Sequence, residues 1–166
     1  MAAEEPGPGF RARKQQRQDD QDRTLLAMQH LETALASAAP RREQAWRTGV
    51  RAALDVLAET IASEAGNADR PDSLLSDIAR SQPWLRNRVR GLRLHYRQLQ
   101  DVITSLRDEL DEPGDAPADF ADLRQRLSSV LSGLRHQRAR ESDLIYEAYY
   151  DAFGSDITLD ADGPPG

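Results

Sequence analysis

The stretch "LRHQRARESDL" at residues 134–144 has the spacing that decides the fold. Leu134, Gln137, Glu141 and Leu144 follow one another at intervals of three and four residues, which places them on one face of a helix. Two of these four side chains are polar, so the face expected to be buried carries an amide and a carboxylate. His136 falls off this face and is expected at the surface. The stretch predicts a long helix whose polar groups point into a core.

Working outward, four long stretches have the same helical spacing of apolar residues, and the stripes include Leu25, Met28, Trp84, Leu92 and Val102. Each stripe covers one side of its helix, so each helix needs partners, and short links favour antiparallel neighbours. The sequence predicts an all-α, antiparallel up-down-up-down four-helix bundle with a short extra helix between the second and third long helices. The long patterns cover residues 20–38, 42–65, 83–110 and 118–153, and the short one covers residues 73–80; Pro40, Gly66 and "EPGDAP" (residues 112–117) separate them.

The composition divides the chain into one domain and two tails. Residues 1–18 are rich in Pro and Gly and then in Gln and Arg, which predicts a disordered tail, and residues 154–166 predict a second, acidic one. The bundle domain is expected at residues 19–153. The start "MAAEEPGPGF" does not resemble a signal peptide, and no apolar run approaches the length of a membrane span.

Charge and residue usage exclude several classes of function. The net charge of −6 argues against a nucleic-acid partner, and the short basic run "RARKQQR" at residues 11–17 is interpreted as a solvated part of the tail. The absence of cysteine excludes thiolate chemistry and fits a reducing cytoplasm. Lys14 is the only lysine, which is typical of GC-rich bacterial coding. There is no Gly-rich phosphate loop and no readable nucleophile–base pair, so we expect no enzymatic activity.

Polar side chains recur inside the predicted stripes at one depth of the bundle. Counting residues from the loops at Pro40 and Gly114 places these side chains at about the same level of the two antiparallel pairs. His30 lies about 15 Å nearer its loop and at the edge of its stripe, so it does not belong to this layer. Buried carboxylates beside a histidine must be paired, hydrogen-bonded or bound to a metal. The predicted layer consists of Gln21, Thr60, Glu64, His95, Gln137 and Glu141.

The chain resembles the hemerythrin-like domains over residues 20–153. The segments that carry the resemblance are "TIASE" (residues 60–64) and "QRARE" (residues 137–141), in the places of two His-x-x-x-Glu motifs, together with "RLHYRQL" and "QDRTLLAMQHLETAL". The resemblance implies a bundle that holds a non-haem di-iron centre. It also implies His95, Glu64 and Glu141 as metal ligands, with Gln21, Thr60 and Gln137 at positions where the family has histidine.

These departures direct the functional interpretation. Amides and hydroxyls are poor ligands for iron, and one histidine with two carboxylates does not make a normal di-iron site. We therefore expect a degenerate site without a cofactor in a non-catalytic interaction or structural protein, for which a protein partner is plausible. The alternative is a sensor or oxygen-handling protein that binds non-haem iron through the reduced His/carboxylate set.

The aromatic run "YEAYYDAF" at residues 146–153 allows two interpretations. The side chains spread around the helix, and the first interpretation has some of them capping the core against Trp46 or Trp84. In the second, the exposed ones form a surface for a partner.

Overall fold

The described part of the chain folds into five α-helices and one 3₁₀ turn. The computed structural model describes residues 8–37, 42–112 and 120–157. No described residue lies in a strand, and no described helix is long and apolar enough to cross a membrane. The predicted all-α class and the short helix before the third long helix are confirmed. The helices are α1 (Pro8–Ala36), α2 (Glu43–Asp69), α3 (Leu74–Ser81), α4 (Arg86–Asp111) and α5 (Phe120–Ile157), with a 3₁₀ turn at Pro83–Leu85.

The connection from α2 to α4 is fixed by local signals in the sequence. The Ser73 hydroxyl accepts a hydrogen bond from the backbone N–H of Ser76 at 3.1 Å and so caps α3. Pro83 begins the 3₁₀ turn, where its missing N–H leaves no hydrogen bond unmade. This turn leads directly into α4.

Side-chain hydrogen bonds join successive long helices. Asn67 near the end of α2 donates to Asp20 in α1 at 3.0 Å. Arg47 at the start of α2 donates to the carbonyl of Leu110 at the end of α4 at 3.1 Å. Gln137 in α5 donates to the carbonyl of Leu92 in α4 at 2.9 Å.

Buried apolar side chains form two clusters, one on each side of a polar layer. The larger cluster joins α1, α2, α4 and α5 and contains Met28, Leu57, Ile103 and Leu127. The smaller one joins α3 to α4 and α5 and contains Ile78. The polar residues between them interrupt the core in the second half of α2 and of α5.

The first helix corrects the predicted domain boundary. Helix α1 begins at Pro8, so residues 8–18 are helical and are not a disordered tail. Hydrophobic spacing missed them because this part of α1 is anchored by the buried polar residues Arg17 and Asp20 and by contact of Phe10 with Tyr149. Residues 1–7 lie outside the described residues.

Two predicted helix ends are also wrong. Helix α2 continues past Gly66 to Asp69, because Ala68 is buried beyond the glycine and offsets its cost of about 1 kcal/mol. Helix α5 continues to Ile157, so residues 154–157 do not belong to a disordered tail. Residues 158–166 lie outside the described residues.

Three residues that were assigned to the buried stripes are exposed. Leu25, Trp84 and Val102 have exposed fractions of 41%, 64% and 45%. In each case an adjacent residue fits the helical spacing as well and is the one that is buried. These buried neighbours are Thr24, Leu85 and Ile103, respectively. A difference of one residue rotates a helix by about 100°, and only the position of the neighbouring helices distinguishes the two choices.

The aromatic residues pair differently from the prediction. Tyr149 contacts Phe10, with ring centroids 4.6 Å apart, while Trp46 contacts Phe120 at 5.3 Å. At the end of α5, Tyr149 therefore packs against Phe10, a residue of the predicted tail, and not against a tryptophan. Tyr150 and Phe153 lie outside the described side chains.

Candidate functional site

The polar layer is centred on two buried carboxylates. Glu64 in α2 and Glu141 in α5 have exposed fractions of 2% and 0%. Both were predicted to face the interior, and this orientation is confirmed. Their partner is a residue that the sequence analysis assigned to the tail: Arg17 in α1, with an exposed fraction of 7%.

The Arg17 guanidinium joins the two carboxylates. Its Nη2 lies 3.0 Å from Glu64 Oε1 and also donates to Glu141 Oε2. The same nitrogen donates to the Tyr96 hydroxyl oxygen at 2.7 Å. Side chains from α1, α2, α4 and α5 therefore meet at one guanidinium nitrogen.

Tyr96 completes the cluster with a hydroxyl that lies near both carboxylates. Its hydroxyl lies 2.6 Å from Glu64 Oε1 and 3.2 Å from Glu141 Oε2, and its single hydrogen can be donated to one of them at a time. Thr24 adds a second hydroxyl, which donates to Glu64 Oε2 at 2.5 Å. Both oxygens of Glu64 thus accept hydrogen bonds, as a buried carboxylate requires.

The electrostatics keep the arginine charged and the tyrosine neutral. Burial alone would lower the pKa of Arg17, but the Glu141 carboxylate, with help from Glu64, raises that pKa well above its ordinary value. Burial raises the pKa of Tyr96 far above its usual range, and the nearby carboxylate of Glu141 raises it further. Tyr96 is therefore a hydrogen-bond donor throughout the physiological pH range.

His95 lies beside this cluster rather than in it. It is half-buried, and its Nδ1 is 2.5 Å from the Oε1 of Gln137, whose Nε2 donates to the carbonyl of Leu92. Since the amide oxygen can only accept, His95 Nδ1 supplies the proton. No contact of His95 with Glu64 or Glu141 is present among the described residues.

The other predicted members of the layer are separated from it. Gln21 is half-buried, and Thr60 is half-buried with its hydroxyl donating to the carbonyl of Leu57 at 3.0 Å. Gln137 is fully buried, as predicted. The predicted surface position of His136 is confirmed, and His30, which was predicted at the edge of its stripe, is exposed as well.

The cluster contains more acidic groups than cations, and some of its polar atoms lack a hydrogen-bond partner among the described residues. Two acidic side chains, Glu64 and Glu141, face one guanidinium. Glu141 Oε1 and the Nε and Nη1 of Arg17 are buried without a hydrogen-bond partner among the described residues. Within residues 8–37, 42–112 and 120–157, no three His, Asp or Glu side chains are grouped so that they could hold a metal ion.

Arg17, Thr24 and Tyr96 were missed, although helical spacing could have found them. Arg17, Asp20, Thr24, Met28 and Leu31 follow at intervals of three and four, which extends the stripe of the first helix backwards through polar residues. Tyr96 likewise fits between Leu92 and Leu99. His95 also falls between Leu92 and Leu99, so spacing alone did not separate it from Tyr96, and the residues before position 20 have the composition of a disordered tail.

No protein-family model, no curated protein and no solved structure matches this chain. The fold and site define a class of protein all the same: an all-α helical bundle with a buried arginine–carboxylate cluster at its centre.

Proposed function

We propose that this protein is a hemerythrin-like bundle of up-down-up-down topology with a degenerate metal site, and that it has a non-catalytic structural or interaction role. The hydrogen bonds that join successive long helices support this topology. Helices α1 and α5 also meet in reversed order, since Phe10 contacts Tyr149 and Arg17 contacts Glu141.

One observation carries the proposal: the Arg17 guanidinium lies between Glu64 and Glu141. In a hemerythrin-like centre these carboxylates would share bound iron. Here the chain supplies the positive charge itself, through a side chain that remains protonated at any physiological pH. An arginine in this place repels a second cation and occupies one oxygen of each carboxylate, Glu64 Oε1 and Glu141 Oε2.

Exposed aromatic surface supports the interaction role. Trp84 and Tyr146 have exposed fractions of 64% and 66%. Tryptophan and tyrosine are enriched at protein interfaces, where they supply most of the binding energy. A cytoplasmic location fits the absence of cysteine from the chain.

Elemental analysis separates this function from iron sensing. Protein purified from iron-supplemented cells is expected to contain far less than one iron per chain and to show no oxygen-dependent absorption band. A chelator should leave its thermal unfolding unchanged, because no bound metal contributes to folding. Stoichiometric iron in the purified protein would overturn the degenerate-site proposal in favour of the sensor.

A further inference from the structure

The outward side of α4 has a row of side chains that changes charge halfway along the helix. Eight residues follow one another at intervals of three and four and therefore lie on one face. All eight are exposed, and they lie opposite the buried face that contains Leu92, Leu99 and Leu106. The members of this outer row are Arg86, Arg90, Leu94, Arg97, Asp101, Ser105, Asp108 and Glu112, the last being the C-cap residue of α4.

Charged side chains of α4 that lie outside the outer row are paired within the chain. Arg93 lies 3.1 Å from Asp69 in α2, and Arg107 Nη2 lies 2.8 Å from Asp55. Four charged members of the outer row make no ion pair and no side-chain hydrogen bond with any described residue. These four are Arg90, Arg97, Asp101 and Asp108. The contacts among the described residues therefore do not account for the charges of the row.

The order of these charges opposes the stability of the isolated helix. The start of a helix carries a partial positive charge and its end a partial negative one, so acidic residues stabilise the start and basic residues the end. Helix α4 has no acidic residue in its first turn and no basic residue in its last. Arg97 also precedes Asp101 by four residues, which is the less favourable order for such a pair. Helix stability therefore does not explain why the basic residues come first.

A second copy of the chain matches this order. The row is symmetrical about the level of Leu99, since Arg97 and Asp101 lie two residues on either side of it, and Arg90 and Asp108 lie nine. A two-fold axis at this level brings two antiparallel α4 helices together with each arginine opposite an aspartate of the other copy. In a parallel pair like charges would face one another, and a partner of one sign would match only half of the row.

We propose that the chain forms an antiparallel dimer through the outer rows of two α4 helices. Arg90 faces Asp108 of the second copy and Arg97 faces its Asp101, and the symmetry makes each pair twice. Leu94, with an exposed fraction of 52%, lies five residues before Leu99 and supplies an apolar contact near the axis. Contact along one helix face buries less than about 1,200 Å², the size of a weak and transient interface. The dimer does not depend on the metal content of the polar layer, so it goes beyond the proposed function and does not rest on it.

Sedimentation equilibrium of the whole chain tests the dimer. In low salt the mean mass is expected to rise from one chain toward two as the protein concentration increases from about 10 µM to about 1 mM, the range of weak interfaces. At about 1 M NaCl, which screens charges beyond about 3 Å, the mass should stay near that of one chain. The mass of one chain at every concentration in low salt would overturn the proposal.

Two charge-reversed variants test the face. Arg90→Glu with Arg97→Glu makes the row acidic, and Asp101→Arg with Asp108→Arg makes it basic, so each variant should stay monomeric up to about 1 mM. An equimolar mixture of the two should regain the parent's association, because each acidic row then meets a basic one. A dimer that persists in both variants would refute the proposal, as would a mixture that stays monomeric while both variants keep their helical circular dichroism.

A matched control separates the face from the net charge. Arg42→Glu with Arg124→Glu changes the net charge by the same amount as Arg90→Glu with Arg97→Glu, but it alters exposed residues outside α4. This control should associate as the parent does. An equal loss of association in the control would show that net charge, and not the outer row, governs the mass, and the proposal would then be wrong.

A charge exchange tests the register of the two helices. Arg90→Asp alone should weaken association at least about tenfold, because an acidic residue then faces Asp108 of the second copy. Arg90→Asp with Asp108→Arg exchanges the two charges and should restore the parent's association. If the exchanged variant associates no better than Arg90→Asp, these two residues do not face each other and the antiparallel pairing is wrong.

Discussion

Arg17 is the residue on which the polar layer depends, since it is the positive charge between Glu64 and Glu141. Arg17→Met would remove that charge and leave two carboxylates buried without a cation. We expect the free energy of unfolding to fall by about 3–5 kcal/mol, as is usual when one partner of a buried ion pair is lost. Denaturant unfolding of parent and variant measures the difference.

Two controls accompany this variant. Arg17→Lys keeps the charge and should cost less than Arg17→Met, although an ammonium cannot reproduce the guanidinium geometry. Arg88→Met removes an exposed arginine that pairs with Glu147 between α4 and α5, and it should cost under about 1 kcal/mol. If Arg17→Met were as mild as Arg88→Met, the buried cluster would not stabilise the fold.

Tyr96 gives the protein a predictable response to alkaline pH. Its pKa is raised in the folded protein, so the folded state holds the phenol proton more tightly than the unfolded state does. The stability that this contributes is fully present below the ordinary tyrosine pKa of about 10 and is lost as the pH rises above it. Denaturant unfolding at a series of pH values from about 8 to about 11 should show a steep loss at the alkaline end.

The buried Tyr96 and the half-buried Tyr149 can be told apart by the stability of their variants at neutral pH. Tyr96→Phe should be less stable at neutral pH, because it loses hydrogen bonds to Glu64 and Arg17, but its stability should fall less steeply above pH about 10. Tyr149→Phe should also reduce the alkaline loss up to pH about 11, because the pKa of Tyr149 is raised to about 12 in the folded protein, but it should keep the parent's stability at neutral pH, since the Tyr149 hydroxyl has no hydrogen-bond partner among the described residues. An unchanged alkaline slope in Tyr96→Phe would contradict the assignment.

At the scale of the helix, three internal glycines have different surroundings. A Cβ added at Gly49 or Gly91 would meet no atom within 4 Å, whereas a Cβ at Gly133 would lie 3.0 Å from Leu99 Cδ2. Gly49→Ala and Gly91→Ala should each raise the free energy of unfolding by up to about 1 kcal/mol, the difference in helix propensity. Thermal unfolding of the single variants measures this gain.

Gly133→Ala serves as the contrasting case. The close approach of α4 and α5 explains this glycine, and its replacement should bring no gain or a loss because Leu99 would have to move. A gain at Gly133 equal to that at Gly49 would show that the two helices do not pack closely there.

The sequence predicts where the helices lie, but it does not always predict which face of a helix is buried. The spacing in α5 predicted the burial of Gln137, Glu141 and Leu144 because no alternative stripe competes with it. In α4 and the 3₁₀ turn before it, the adjacent pairs Trp84–Leu85 and Val102–Ile103 offer two stripes, one turned about 100° from the other. Which of them is buried depends on the neighbouring helices, and a single helix does not contain that information.

For the molecule as a whole, the fold class follows from four apolar stripes, but the centre of the site does not. The carboxylates Glu64 and Glu141 were found because they continue apolar stripes. Their cation was missed because Arg17 lies in a run of Gln, Arg and Asp residues that has the composition of a disordered tail. Only packing of α1 against α2 and α5 shows that this run is helical and partly buried.

The last prediction concerns the effect of Arg17 on metal binding if the hemerythrin-like proposal is right. The hemerythrin-like alignment implies that Gln21→His, Thr60→His and Gln137→His together restore missing ligands. The guanidinium would still lie between Glu64 and Glu141 in this triple variant, where its charge opposes a metal cation. We therefore expect the triple variant to bind no more iron than the parent, and the same variant with Arg17→Ala added to gain iron binding. Elemental analysis and Co²⁺ absorption spectra of the four proteins, including Arg17→Ala alone, measure the effect.

Equal iron in the triple and quadruple variants, when both bind it, would show that Arg17 does not stand in for the metal. No iron in the quadruple variant, while it remains folded by circular dichroism, would count against the hemerythrin-like alignment itself.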